Sequence, residues 1–314
     1  MMTDKTLAFV FPGQGSQKIG MLADLTAEFP LVGEVFAEAS EALGYDMWHL
    51  IQHGEQDDIN LTEKTQPILL TASVAIWRLW RQCGGARPAL MAGHSLGEFT
   101  ALVCAGALNF TDAVKLVRAR GQFMQTAVPV GEGAMAAIIG LDDELINHIC
   151  EEVAQGECVQ AVNYNAPGQV VIAGKTAAVE RAVEKLKQAG AKRALPLPVS
   201  APFHTDLMRP AGDKLASELA GITIHKPVIP VVHNVHAQTE SDPEKIRQLL
   251  TEQIYSPVKW VACVQTMVEA GVQNTVECGP GKVLSGLNKR IHKPLTCYSI
   301  EENEAFAKAQ TELS

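Results

Sequence analysis

Two apolar runs constrain the fold of this chain more than any other feature. Leu7-Ala8-Phe9-Val10-Phe11 and Ala89-Leu90-Met91-Ala92-Gly93 each read as a strand buried on both faces. Each ends in a glycine-rich turn, Pro12-Gly13-Gln14-Gly15-Ser16-Gln17 after the first and Gly93-His94-Ser95-Leu96-Gly97 after the second. Helical patterns cover residues 21–43, 66–80 and 95–106. Strand, turn and helix in that alternation demand a parallel sheet with helices on its faces. At 314 residues there is enough chain for one large domain with a smaller one attached.

The middle of the chain follows a different rule. Residues 133–139 read as a strand, and Asp142 as the cap of a helix whose apolar positions are Leu145, Ile146, Ile149 and Val153. Two strands, 158–163 and 169–173, are joined across Asn165-Ala166-Pro167-Gly168, a strong turn signal. A second helix runs from Thr176 to a stop at Gly190, and 194–197 is a last short strand. That order, βαββαβ, is the ferredoxin-like pattern. Strands at 228–232 and 275–278 and a helix at 243–253 then return to the first sheet. The expected architecture is an α/β fold. An α/β-hydrolase-like large domain with a parallel sheet, residues 1–127 and 199–314, carries an inserted ferredoxin-like small domain, residues 128–198.

Composition removes several function classes. Aromatic residues are 5% of the chain and the formal net charge is −9, so neither base-stacking platforms nor a general nucleic-acid face is expected. The seven cysteines are odd in number and none is at C-x-x-C spacing, which argues against a disulfide framework or a structural zinc site. Reduced, mostly buried thiols in a cytoplasmic enzyme are expected. The opening residues do not read as a signal peptide, and no apolar run approaches the roughly 20 residues that span a bilayer.

Gly93-His94-Ser95-Leu96-Gly97 matches G-x-S-x-G in the strand-to-helix context which that motif requires. The sharp turn would push out the Ser95 hydroxyl and leave the Leu96 amide facing a developing oxyanion. The loop holding Gln14, at the end of the preceding strand, fits the second oxyanion amide better than it fits a nucleotide, since it lacks both the dinucleotide fingerprint and the P-loop. Ser95 needs a base. His204, in a loop stiffened by Pro198 and Pro202, is one of several candidates by spacing alone. The pairs His233/His236 and His49/His53 lack an evident third ligand, so no metal site is expected. Arg120 falls in the middle of the apolar stripe Ala113, Leu116, Val117, Met124 and Ala127, while Lys115, Arg118, Gln122 and Gln125 form the polar face. A buried guanidinium demands an anion. Helical position leaves open whether that anion is a protein carboxylate or a substrate carboxylate held by the bidentate fork.

Several segments together resemble the malonyl-CoA:acyl carrier protein transacylases: Phe11-Pro12-Gly13-Gln14-Gly15-Ser16-Gln17, Gly93-His94-Ser95-Leu96-Gly97-Glu98, Arg120-Gly121, Asn163-Tyr164-Asn165-Ala166-Pro167, Pro202-Phe203-His204, Glu252-Gln253-Ile254-Tyr255-Ser256-Pro257-Val258 and Glu277-Cys278-Gly279-Pro280-Gly281. They run in order over nearly the whole chain. The resemblance implies that Ser95 is acylated, that His204 is its base, and that the Gln253 carbonyl orients His204 in place of an acidic residue. It implies an oxyanion hole from the Gln14 and Leu96 amides, and a malonyl carboxylate held by Arg120, with Met124, Asn163 and Phe203 also against the substrate. Phe203, beside the acyl α-carbon, would disfavour methylmalonyl. The implied substrates are malonyl-CoA and acyl carrier protein, with no metal or redox cofactor, no membrane partner and a monomeric state. A stand-alone acyltransferase serving a polyketide synthase and a serine acyl hydrolase are the alternatives. For an acidic carrier, candidate docking residues are Lys185, Lys187, Lys192 and Arg193 on the small domain, and Lys282, Lys289, Arg290 and Lys293 on the large one.

Overall fold

The computed structural model describes residues 3–199 and 201–313. Met1, Met2, Ser200 and Ser314 lie outside the described residues, and of these Ser200 belongs to the loop expected to lead into His204. Among the described residues, nine strands form two sheets. One sheet holds β1 (Thr3–Phe11), β2 (Arg87–Gly93), β7 (Val231–Val232), β8 (Asn274–Glu277) and β9 (Thr296–Ser299) in the order β7-β2-β1-β8-β9. Every ladder in it is parallel. The apolar run in β1 reflects burial on both faces. Leu7, Phe9 and Phe11 enter one core while Ala8 and Val10 enter a second core on the opposite side.

The second sheet holds β3 (Gly133–Ile139), β4 (Val159–Ala166), β5 (Gln169–Lys175) and β6 (Arg193–Pro196) in the order β4-β5-β3-β6, all antiparallel. The helices Asp143–Val153 and Thr176–Gln188 follow β3 and β5. Their buried stripes join Ala136, Ile138, Val170 and Ile172 in a core of its own. Met135, Val171 and Ala173, one residue out of phase, join the main core instead. Strand β4 pairs with the loop at Val258, between the helices Pro243–Gln253 and Trp260–Glu269. Tyr164 N donates to Val258 O at 3.0 Å, and Val258 N to Val162 O at 2.8 Å.

Proline accounts for two departures from expectation. The helical pattern at 21–43 divides into Ala23–Glu28 and Pro30–Leu43. Pro30 drives Phe29 to φ −124°, ψ 97°, outside the helical region. The strand expected at 228–232 shrinks to Val231–Val232, because Pro227 and Pro230 have no N–H to give the ladder. In the second sheet, Leu145 is exposed, and the buried stripe of its helix is Ile146, Ile149 and Cys150. The turn between β4 and β5 is only Pro167-Gly168, with Gly168 at φ +70°. Asn165 and Ala166 belong to β4.

Candidate active site

From Ala8 onward strands β1 and β2 run side by side in register, with Phe11 opposite Gly93, so their carboxyl ends bring the two glycine-rich turns together. The approach leaves no room for side chains. A Cβ on Gly97 would lie 2.1 Å from Phe11 O, and one on Gly93 would lie 1.9 Å from the Gly97 carbonyl carbon. Ser95 takes φ 50°, ψ −108° between them, a conformation that costs a non-glycine residue about 1–3 kcal/mol. The helix Leu96–Cys104 starts immediately after, so the Leu96 N–H stands at its free N-terminus, on the cavity.

Asn234, just past β7, holds the strained turn at both ends. Its Oδ1 accepts from Ser95 N at 2.9 Å and its Nδ2 donates to Gly93 O at 2.8 Å. On the far side, His204 has φ 63° and is buried. Its Nε2 is 2.8 Å from Ser95 Oγ and its Nδ1 2.9 Å from the carbonyl oxygen of Gln253. Burial first, and then the Arg120 charge, hold the imidazole down at about pH 3, so it is neutral and can take a proton. The expected base therefore reaches the expected nucleophile, with a neutral backbone acceptor behind it.

Arg120 lies 1% exposed on the helix Phe110–Thr126. Its Nη1 donates to Gln66 Oε1 at 2.7 Å, and its Nη2 to Gln253 Oε1 at 2.9 Å and Ser95 Oγ at 3.1 Å. All three acceptors are uncharged. Burial lowers its pKa to about 10 while Glu98 opposes the shift, so it stays cationic at neutral pH. The polar face of the same helix packs on the helix Thr62–Gln82. Gln122 Nε2 donates to Glu63 at 2.7 Å and Gln125 Oε1 accepts from Thr62 at 3.1 Å. Arg118, expected at the surface, is half-buried and donates to Leu43 O at 3.3 Å.

Gln14, Leu96, Ser95, Arg120, Met124, Asn163, Phe203 and His204 all line one cavity of about 140 Å³. Gln253 stands behind it through the contacts above. The other histidine pairs are elsewhere occupied or unassisted. His233 is buried with Nδ1 2.6 Å from Glu98 Oε1, and among the described residues no three His, Cys, Asp or Glu side chains converge as a metal set.

Four residues of the site were not singled out from sequence. Gln66 holds Arg120, Asn234 holds the turn, and Asn165 Oδ1 pairs with His94 Nε2 at 2.8 Å. Glu98 is buried and accepts from Asn234 N at 2.8 Å and Gln253 Nε2 at 3.0 Å. A signal for Glu98 was present, since it is the lone charge in the apolar stretch 96–104.

Residues 8–297 match the model of the acyl transferase domain. The malonyl CoA-acyl carrier protein transacylase of Escherichia coli O157:H7 is 60% identical over 302 residues, 96% of this chain and 98% of that protein. The crystal structure of a malonyl-CoA:acyl carrier protein transacylase from Xanthomonas oryzae superposes with a TM-score of 0.98 at 51% identity, covering 100% of both chains. A malonyl-transacylase in complex with a type II polyketide synthase acyl carrier protein superposes with a TM-score of 0.96 at 55% identity, covering 98% of this chain and 99% of that one.

Proposed function

Because the chain belongs to the acyl transferase domain family, and within it to the malonyl-CoA:acyl carrier protein transacylases, we propose the following reaction. It moves a malonyl group from malonyl-CoA to the phosphopantetheine thiol of acyl carrier protein through a malonyl ester of Ser95. The observation that carries this reading is a buried, cationic Arg120 with no carboxylate partner among the described residues, facing the same cavity as Ser95 and His204. A hydrolase for neutral acyl chains has no use for that cation.

His204 takes the Ser95 proton as Oγ attacks the thioester carbonyl. The oxyanion is received by the Gln14 and Leu96 amides. Gln253 keeps His204 in the Nδ1–H tautomer, and Arg120 holds the malonyl carboxylate, with Met124, Asn163 and Phe203 around the acyl chain. Coenzyme A leaves, and the carrier thiol attacks the ester in a second pass through the same groups. Acyl exchange of this kind is redox-neutral and needs no metal or cofactor. We read the parallel-sheet unit, residues 1–127 and 199–314, as α/β-hydrolase-like. The βαββαβ unit, residues 128–198, is read as ferredoxin-like, in a monomer of the cytoplasm. No helix among the described residues is long and apolar enough to cross a membrane.

Intact mass after mixing with malonyl-CoA tests the assignment. The wild type gains one malonyl group and Ser95→Ala gains none; a labelled Ser95→Ala protein would refute it. The superposed transacylase bound to a polyketide carrier keeps polyketide synthesis as the second reading. Loading rates on fatty-acid and polyketide carriers separate the two.

For the carrier we propose docking across the seam of the two sheets, where Arg290 bonds Gln169. The candidate basic residues are Lys185, Lys187, Lys192 and Arg193 of the antiparallel unit with Lys282, Lys289, Arg290 and Lys293 of the parallel-sheet unit. Reversing Lys192, Arg193 and Arg290 together should raise the carrier KM about tenfold at low salt and less at high salt. An unchanged KM at low salt would exclude docking there.

A further inference from the structure

The charge balance around Ser95 differs from that of a Ser-His-Asp triad. There the imidazolium formed during attack is offset by an aspartate on Nδ1. Here the group on His204 Nδ1 is the neutral carbonyl of Gln253, 2.9 Å away. The nearest fixed charge to the dyad is a cation. Arg120 Nη2 reaches Ser95 Oγ at 3.1 Å, and Oγ is 2.8 Å from His204 Nε2, so guanidinium, hydroxyl and imidazole form one chain. Held this way, Arg120 opposes attack by Ser95 in two ways. It occupies a lone pair of the nucleophile, and it repels the imidazolium that must form.

Glu98 does not cancel this. Its carboxylate is spent on His233 Nδ1 at 2.6 Å, Asn234 N at 2.8 Å and Gln253 Nε2 at 3.0 Å. It is separated from Arg120 by the whole Gln253 amide, whose Oε1 accepts from Nη2. That amide lies with its oxygen toward the cation and its nitrogen toward the anion. The buried Nε of Arg120 has no partner among the described residues. The guanidinium is thus kept charged from a distance and left short of an anion at close range.

Resting on the reading of Arg120 as the seat of the malonyl carboxylate, we propose that this carboxylate also switches the dyad on. Pairing with Arg120 draws Nη2 from Ser95 Oγ and brings in the negative charge that a triad takes from its own aspartate. The substrate completes the catalytic charge set. In the step itself, Oγ bonds to the thioester carbon, the carbonyl pair moves to oxygen, and His204 Nε2 takes the Oγ proton. On collapse the C–S bond breaks and the thiolate leaves with that proton from His204. The guanidinium–carboxylate pair is the same before and after. Selectivity for an acyl group with a terminal carboxylate then resides in the rate of acylation rather than in binding.

The test is single-turnover acylation of Ser95 by malonyl-CoA and by its terminal carboxamide analogue, which has the same length and shape but no charge. The amide is expected to acylate roughly a hundredfold more slowly at saturation, the order lost when a charge-stabilising contact is removed from an acyl-transfer transition state. Its half-saturating concentration should change only a few-fold. Equal saturating rates with weaker binding would overturn the proposal and leave Arg120 as a seat alone. A second measurement supplies the missing charge separately, as formate added to acetyl-CoA at constant ionic strength. Saturable acceleration of Ser95 acetylation, absent with chloride, supports the switch. Formate that competes with malonyl-CoA yet leaves acetylation unaccelerated would also overturn it. If malonyl-CoA itself left no label on Ser95, the functional reading would be the one at fault.

Discussion

The two sheets meet the same cavity in opposite ways. The parallel sheet delivers Ser95 at φ 50°, and the surroundings over-determine that backbone. Asn234 holds the turn on either side of the serine, and Gln253 Nε2 donates to Ser95 O at 3.0 Å. The antiparallel sheet delivers Asn163 and Asn165 from β4, whose pairing with β5 shifts register between Ala161 and Asn163 and again between Tyr164 and Ala166. The Oδ1 of Asn163 is buried without a partner among the described residues. Strain persists only where neighbours hold it, and bulges re-aim side chains at the cost of regular pairing. One side of the cavity is therefore built to fix geometry, and the other to shape a wall.

The sharpest way to break this contrast is to remove the hold on each side. Asn234→Leu keeps the branched shape but strands the Ser95 N–H and the Gly93 carbonyl, groups worth about 1–3 kcal/mol each. The turn should relax, and a shift near 1 Å at a nucleophile costs about a hundredfold in rate. Urea unfolding and the acylation burst should both register the change. Asn165→Ala removes the bond to His94 on the other side and should slow acylation less than about tenfold. Comparable losses in the two variants would erase the distinction.

How much of this was legible in the sequence follows the same division. Ser95, Leu96 and the parallel strands could be read because their signals are local: an apolar run, two glycines and a helix start. The βαββαβ order was readable for the same reason, since each strand and helix carries its own periodicity. His204 and Gln253 meet from 49 residues apart, and spacing alone left His204 among several histidines. Resemblance, not periodicity, selected it. Asn234 and Gln66 gave no local sign, because their work is done across 139 and 54 residues of sequence. Arg120 was readable as buried but not as lacking a carboxylate partner among the described residues, since that is a property of the packed neighbourhood. Pro30 and Pro230 are visible in the sequence, and each bounds an element that the apolar pattern alone would extend.

A second, smaller test separates the two faces of the antiparallel sheet. Ile172 on β5 is fully buried in the core beneath the two helices, away from the cavity. Ile172→Ala should cost about 2–5 kcal/mol of stability. The folded fraction should still acylate within a few-fold of the wild type. Met135, on β3 and out of phase with that core, lines the cavity. Met135→Ala should alter acylation kinetics as well as stability. If Ile172→Ala slowed acylation as much as Met135→Ala, the helix-covered core and the cavity wall would be one cooperative unit rather than two faces.

The smallest expected effect concerns two helix starts that look alike in sequence. Asn109 precedes the helix Phe110–Thr126, which carries Arg120, and its Oδ1 accepts from Thr111 N at 3.0 Å and Asp112 N at 3.2 Å. Asp142 precedes the helix Asp143–Val153 of the antiparallel unit. It has extended dihedrals suited to a cap, yet its side chain accepts no capping bond. The carboxylates of Asp143 and Glu144 in the first turn already supply negative charge at that helix end. Asn109→Ala should therefore cost about 1 kcal/mol, as the loss of a formed cap does, whereas Asp142→Ala should cost less than about 0.5 kcal/mol. Thermal unfolding of the two variants measures the difference. A loss at Asp142 equal to that at Asn109 would mean that its carboxylate caps the helix in solution, and that the antiparallel unit is as tightly specified at its helix ends as the sheet that carries Ser95.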